Sequence, residues 1–358
     1  MEAFINKAAY TREVPEDRTE LVDALASAGK GTVMFVGDVD SGKTTTVTFV
    51  ANELVGRGYR VAIVDSDVGQ KSILPPATVS LGFLESQVEH LSQVKPFAHY
   101  FVGITTPSEY MGETVIGVKR LVEIGRRNAD FVLIDTTGFI RGRGFELKRL
   151  KVEAVLPDLV VFIEKGNEME KLKHAVSGLA EVVTLKASPS LRPHSPGERR
   201  EIRRAKWRSY FKGSRLVEVD VSGIPVTGTI MFSGRPLTLE ERELLEKLQE
   251  WVVFAGWKVK GEYVVAKADL GKGRTCRGNG VHAVDFESLS NLLVGFIDEN
   301  GLCLGLGILK WPRFSDGVFE VLTPIDEETL ALASELRLGR LRVTEDGEEL
   351  SLLQRDDL

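Results

Sequence analysis

Gly37-Asp38-Val39-Asp40-Ser41-Gly42-Lys43-Thr44 satisfies the spacing G-x-x-x-x-G-K-[ST] of a phosphate-binding P-loop. Its flanks give the motif its structural context. Thr32-Val33-Met34-Phe35-Val36, just before it, is a β-branched and aromatic run that reads as a buried strand. After it, Val47, Val50 and Leu54 recur at helical spacing up to Gly58. Strand, glycine loop and helix together let backbone N–H groups curl around phosphate oxygens at the positive end of a helix dipole. Gly37, Asp38, Asp40, Ser41, Gly42, Lys43, Thr44 and Thr45 are the expected nucleotide contacts. Lys43 is expected to reach the β- and γ-phosphates, and the Thr44 hydroxyl to hold Mg²⁺.

Outward from this loop the pattern stays α/β. Pro15-Glu16-Asp17-Arg18 opens a helix that stops at Gly29. Apolar strands are predicted at Val61–Val64, Ala98–Gly103, Phe131–Ile134, Leu159–Ile163 and Val182–Leu185, with a helix over Val115–Ile124. Continuous apolar strands between helices predict a mainly parallel sheet covered on both faces, which binds ligands at its carboxyl ends. Near residue 215 the pattern changes. Leu216 to Val221 alternates with period two. A helix capped by Thr238 and Glu241 follows, with Leu244, Leu245, Leu248, Trp251 and Val252 as its apolar face. Glycine-punctuated strands, a helix over Glu327–Arg337 and a hairpin at Asp346-Gly347 complete the chain. The expected fold is a P-loop NTPase domain over 1–221, with a helical lid around 195–212, and a smaller β-rich domain over 222–358.

Composition narrows the class. At 358 residues with 43% hydrophobic content, the chain can build two cored domains. Its two cysteines argue against a disulfide scaffold or a Cys-rich metal site. His90, His99, His174, His194 and His282 match no metal-site spacing. No apolar run is long enough to span a membrane and no signal-peptide pattern opens the chain. A cytoplasmic location is expected, or a nuclear one in a source with a nucleus. The net charge of −6 confines any polyanion site to a local patch.

Four further segments carry chemistry. Asp65-Ser66-Asp67-Val68-Gly69-Gln70 follows the second strand. Residues two apart in an extended segment share a face, so Asp65 and Asp67 are both expected to look toward the nucleotide. With Thr44 they form the expected Mg²⁺ (or Mn²⁺) set, and one of them is a candidate general base. Thr105-Thr106-Pro107-Ser108 offers hydroxyls and backbone N–H groups for a phosphate. Asp135-Thr136-Thr137-Gly138 resembles the switch segment of P-loop GTPases, whose Gly138 N–H would sense a γ-phosphate. Arg199 to Arg215 is strongly basic, with Trp207, Tyr210 and Phe211 interleaved. It reads as a lid behind a hinge at Ser188–Gly197, with a solvated basic helix as the plainer alternative. Arg141, Arg143, Lys148, Arg149 and Lys151 form a second cluster, open to two readings: a backbone-tracking patch or an exposed helix face. The loop Gly271–Gly280 reads as structural.

The ordered set resembles the polynucleotide 5′-hydroxyl kinase family. That family includes archaeal polynucleotide kinases, nucleolar kinases of ribosomal RNA processing and the RNA kinase subunit of the eukaryotic pre-mRNA cleavage factor. The resemblance rests on the P-loop, Asp65–Gln70, Thr105–Pro107 and Arg199–Arg208, and spans roughly residues 30–215. Thr136-Thr137-Gly138-Phe139 is similar to the family's Thr-x-Gly-Trp, with Phe in place of Trp. It implies transfer of the γ-phosphate of ATP or GTP to the 5′-hydroxyl of RNA, and possibly of DNA. It further implies that Asp67 is the general base, that Asp65 supports the metal, and that Gln70 and the clasp residues Thr105 and Thr106 lie near the substrate. Arg199, Arg200, Arg203 and Arg204 would supply the lid contacts, and Trp207 a stacking surface. Where the family's clasp has Asn or Ser soon after its Pro, Ser108 and Glu109 stand here. Too few residues precede Gly37 for the N-terminal β-domain of the eukaryotic relatives. Two other functions compete: a switch-type NTPase, against which the missing Asn/Thr-Lys-x-Asp motif counts, and a non-catalytic nucleotide-binding scaffold, against which the intact Lys43, Thr44 and Asp67 count.

Overall fold

The computed structural model describes residues 15–187, 194–270, 280–354 and 358. The stretches 1–14, 188–193 (most of the expected hinge) and 271–279 (most of the glycine loop) lie outside the described residues. The chain divides between Trp207 and Arg208 into two compact units.

In the first unit, α1 (Glu16–Ala28) leads into β1 (Gly31–Gly37), α2 (Lys43–Gly56) and β2 (Val61–Ser66). Then come β3 (Thr78–Leu84), β4 (Pro96–Phe101), α3 (Met111–Asn128), β5 (Phe131–Thr136) and α4 (Arg143–Val155). They are followed by β6 (Leu159–Glu164), α5 (Glu170–Val176), β7 (Glu181–Lys186) and α6 (Pro196–Phe211), within whose last turn the division falls. The strand order is β4-β3-β2-β5-β1-β6-β7. β2, β5, β1, β6 and β7 run parallel, and β3 is antiparallel to both β2 and β4. The central strands read as unbroken apolar runs because both faces are covered. Val33, Phe35, Ile63, Leu133 and Val161 face α1 and α2 in one core cluster. Over the other face, Gly125 of α3 packs on Val132, and α3 lies against α4.

β3 was not legible as a strand. Its Thr78 and Ser80 are buried polar residues, joined to each other at 3.1 Å and, through Ser80 Oγ, to His99 Nδ1 at 2.8 Å. Gly82 breaks the run for a packing reason: a Cβ there would lie 2.7 Å from the Lys95 carbonyl oxygen.

In the second unit, β8 (Arg215–Asp220), β9 (Val226–Thr227) and β10 (Arg235–Pro236) precede α7 (Leu239–Gln249). β11 (Trp251–Val259), β12 (Glu262–Asp269), β13 (Val281–Asp285), α8 (Phe286–Leu289) and β14 (Leu292–Ile297) follow. β15 (Cys303–Arg313), β16 (Val318–Thr323), α9 (Glu327–Leu330), β17 (Glu335–Val343) and β18 (Glu349–Leu352) end the chain. β18-β17-β14-β15-β16-β8 are successive antiparallel neighbours, and β10-β11-β12-β13 form a separate sheet. β8 was expected in the first domain but pairs with β16 in this unit. Thr238 and Glu241 make the expected capping box. Of the expected apolar face, Leu245 and Trp251 are buried while Leu244 and Leu248 are exposed, and Trp251 and Val252 already belong to β11. The expected helix over 327–337 is a single turn, because Glu335 onward pairs with β14 as β17. No helix among the described residues is long and apolar enough to cross a membrane.

Candidate active site

The site is built on the carboxyl ends of β1, β2 and β5. β1 ends at Gly37, where a Cβ would lie 2.5 Å from Ser41 Oγ and 2.6 Å from the Ile163 carbonyl oxygen, so the loop closes only on glycine. The chain turns through left-handed Asp40 (φ 53°) and Gly42 (φ 88°) into α2, whose first residue is Lys43. Lys43 Nζ bends back to donate to the Asp38 carbonyl at 2.7 Å. Burial lowers the Lys43 pKa against the opposing pull of Asp135, Asp67, Asp38 and Asp40.

Thr44 Oγ1 donates to Asp135 Oδ2 at 2.7 Å. Among the described residues, Asp135 Oδ1 and the P-loop Ser41 Oγ are buried without a hydrogen-bond partner. Burial and the neighbouring Asp65 push the Asp135 pKa up to about 7. An orphaned carboxylate oxygen beside a P-loop hydroxyl suits a divalent cation, which restores the carboxylate charge that burial suppresses.

Asp65 differs from its expected role. It lies directly across from Asp135 in the β2–β5 register, yet both its oxygens are committed within its own loop. Oδ2 accepts from Ser72 N at 2.6 Å and Ile73 N at 2.8 Å. Oδ1 accepts from Asp67 N at 3.1 Å and faces Lys71 Nζ at 3.5 Å. Asp65 therefore shapes the loop, and Asp135 is the carboxylate paired with Thr44. The shared-face argument fails because β2 ends at Ser66, so Asp67 is no longer in extended register with Asp65. Asp135 carried a readable signal, an Asp closing the apolar run Phe131–Ile134.

Asp67 Oδ1 accepts from Gly69 N at 3.0 Å and Gln70 N at 2.9 Å, a tight turn that fixes the carboxylate beyond the strand. A Cβ on Gly69 would lie 2.8 Å from the Thr105 carbonyl oxygen, so this turn presses against the Thr105–Thr106 segment. Thr105 is half-buried and Thr106 exposed. Gln70 Nε2 donates to the Arg199 carbonyl at 3.3 Å.

The start of α6 is latched to the P-loop through Asp40. Asp40 Oδ2 accepts from His194 N at 2.9 Å and lies 3.5 Å from Arg199 Nη1, and Asp40 Oδ1 lies 3.2 Å from His194 Nδ1. Arg199 Nη1 also donates to the His194 carbonyl at 2.6 Å. Arg200 is exposed, and Arg203 and Arg204 are half-buried. Trp207 is fully buried, so its indole offers no face to a base, contrary to the stacking role expected of it. With Phe211 one turn on, it forms a buried stripe of α6. Lys206 feels Asp65 and Asp67, and desolvation lowers its pKa.

The second basic cluster splits in two. Arg141 and Arg143 are surface groups facing Asp38 and Glu109 at 3.9 Å each, and Arg149 pairs along its helix with Glu146 and Glu153. Lys148 and Lys151 are fully buried instead. They fall on the stripe Gly144, Leu147, Lys148, Lys151, Val152 and Val155 that α4 turns inward, a spacing visible in the sequence.

A family profile described as "mRNA cleavage and polyadenylation factor CLP1 P-loop" matches residues 37–213. The polyribonucleotide 5′-hydroxyl-kinase of Thermococcus kodakarensis is 52% identical over 355 residues, covering 99% of this chain and 100% of that protein. The protein of that name from Methanocaldococcus jannaschii is 43% identical over 357 residues, covering 99% of each. Among solved structures, Clp1p in its complex with Pcf11p is similar at a TM-score of 0.57 and 12% identity, covering 91% of this chain and 79% of that one, a likeness of fold.

Proposed function

The chain belongs to the polyribonucleotide 5′-hydroxyl-kinase family, and on that premise we propose that it transfers the γ-phosphate of ATP or GTP to the 5′-hydroxyl of an RNA chain. The observation that carries this reading is the convergence of Lys43, the Thr44–Asp135 pair and the Asp67 turn on three adjacent strand ends. P-loop and lysine grip the donor, and the carboxylate of Asp67 serves the acceptor.

The P-loop backbone holds the donor's phosphates, and Lys43 leaves the Asp38 carbonyl to neutralise the β- and γ-oxygens. Thr44 and Asp135 would hold Mg²⁺, which neutralises charge on the phosphates when bound. Asp67 accepts the proton of the ribose 5′-hydroxyl as that oxygen forms its bond to the γ-phosphorus and the bond to the β–γ bridging oxygen breaks. The turn from Gly69 N and Gln70 N fixes one oxygen of Asp67 and so orients the other. Thr105, whose carbonyl lies against that turn, and the adjoining Thr106 would take the phosphate that follows the terminal nucleoside. Arg199 sets the first turn of the lid, and closure of α6 excludes the water that would compete with the hydroxyl.

The test is transfer of radiolabelled γ-phosphate to 5′-hydroxyl oligoribonucleotides and oligodeoxyribonucleotides, with Lys43→Ala and Asp67→Asn alongside. Label on the RNA 5′ end, lost in both variants, is the expected result. Free labelled phosphate without labelled oligonucleotide would replace the kinase with a switch NTPase. Tight nucleotide binding with neither product would indicate a scaffold.

A further inference from the structure

Lys148 and Lys151 lie three residues apart on α4, and neither is exposed. Lys148 Nζ donates to the Thr137 carbonyl at 2.6 Å. Lys151 Nζ donates to Ser66 Oγ at 2.9 Å and approaches the Ser66 carbonyl at 3.4 Å. Ser66 Oγ in turn donates to the Asp135 carbonyl at 2.8 Å. Neither amine forms an ion pair among the described residues; each reaches only neutral oxygens. Burial lowers the pKa of both.

A buried amine with no carboxylate within ion-pair distance is a poor choice for stability, since an apolar residue of similar volume holds a fold at least as well. What these amines touch explains their presence. Ser66 is the last residue of β2, immediately before Asp67. Thr137 follows the end of β5, between Asp135 and Gly138. α4 thus holds, through these amine-to-oxygen contacts, both strand-end loops that carry the reacting groups. The Ser66 hydroxyl ties those loops to each other.

We propose that Lys148 and Lys151 are positioning residues for phosphoryl transfer. They act through Thr137 and Ser66 to fix the Asp135–Gly138 segment and the Asp67 turn relative to each other. This rests on the kinase reading above. Lys151 sets the base that prefers a ribose hydroxyl to water. Lys148 sets the segment next to the donor.

The experiment uses the full chain with Lys148→Met, Lys151→Met and Ser66→Ala. Ser66→Ala removes the hydroxyl link with little change of volume, should a methionine variant fail to fold. For each protein, the thermal midpoint, kcat, the KM values for ATP and oligoribonucleotide, and the ratio of free phosphate to labelled oligonucleotide are measured. The methionine variants should keep or raise the midpoint, while kcat falls on the order of 10- to 100-fold with little change in either KM. Lys151→Met and Ser66→Ala should raise the ratio of free phosphate to labelled RNA, because a displaced Asp67 discriminates less against water. The inference is overturned if kcat and the ratio stay within twofold of wild type, or if activity falls only as the folded fraction falls. A wild-type protein that labels no oligonucleotide would instead overturn the kinase reading itself.

Discussion

Replacing Asp65 by alanine separates its structural role from the metal-binding role that its sequence position suggests. The carboxylate accepts from three backbone N–H groups, those of Asp67, Ser72 and Ile73, and faces the fully buried ammonium of Lys71. An orphaned buried donor costs about 1–3 kcal/mol, and the loss of one partner of a buried ion pair about 3–5 kcal/mol. These losses do not add fully. Burial already drives Lys71 toward its neutral form, so it can shed its proton when Asp65 is gone. Water can also enter the vacated volume. A loss of about 3–6 kcal/mol is expected. At roughly 2–4 °C per kcal/mol for a unit of this size, the thermal midpoint falls by roughly 6–24 °C. Urea and thermal unfolding followed by circular dichroism measure the loss. Mg²⁺ titration of the kinase rate, run well below the new midpoint, measures the metal requirement. Asp65→Ala should unfold early, lose rate through the loosened Asp67 turn, and keep its half-saturating Mg²⁺ concentration. An unchanged midpoint with a raised Mg²⁺ requirement would refute the reasoning and return Asp65 to the metal.

Asp135→Asn and Thr44→Ala should do the reverse, holding or raising the midpoint while half-saturating Mg²⁺ rises about tenfold or more, the equivalent of ~1.4 kcal/mol of lost cation binding. Gly138→Ala places a methyl 2.6 Å from Val39 N and Cα, displacing the P-loop; a loss on the order of 100-fold in kcat/KM for ATP is expected from steady-state kinetics. Asp40→Ala removes the acceptor shared by His194 and Arg199; hydrogen exchange in the first turn of α6 should quicken, and unchanged protection would disprove the latch. In the second unit, Arg235 and then Lys258 hold the Glu241 carboxyl well below its usual value of 4.5. The stabilisation this gives is full above pH 4.5 and lost as pH falls below it, so Glu241→Gln should flatten the acid side of the stability profile.

The parallel part of the fold was legible because each central strand is apolar on both faces and each is followed by turn chemistry. Val61–Val64, Phe131–Ile134 and Leu159–Ile163 could hardly be anything else. β3 escaped because its polar residues satisfy one another inside the protein, a pairing that depends on His99 from the next strand. The helix expected from Glu327 stopped early for a different reason. Local helical spacing persisted in the sequence, but the edge of β14 offered Glu335 to Leu338 a ladder of backbone partners, and tertiary pairing overrode propensity.

The close approaches at the glycines of the site were legible in the sequence, the directions of Asp65, Lys148 and Lys151 were not, and the two results share a cause. Gly37, Gly69 and Gly138 are each set by backbone or side-chain atoms closer than 3.0 Å to where a Cβ would stand, a local constraint that motif spacing encodes directly. A charged residue carries no such mark of direction. Asp65 and Asp67 were both expected to look toward the nucleotide, but the end of β2 at Ser66 turns Asp65 into the loop and leaves Asp67 beyond it. Lys148 and Lys151 appeared to belong with Arg141, Arg143 and Arg149 until α4 assigned them to its buried stripe. Burial then changes what the charges mean. Asp135 is driven toward its protonated form, and Lys43, Lys71, Lys148 and Lys151 toward their neutral forms, because desolvation outweighs their mutual attraction. On the proposed reading, polyphosphate and cation would supply the partners that Lys43 and Asp135 lack, while Lys71, Lys148 and Lys151 stay bound to oxygens of the protein itself.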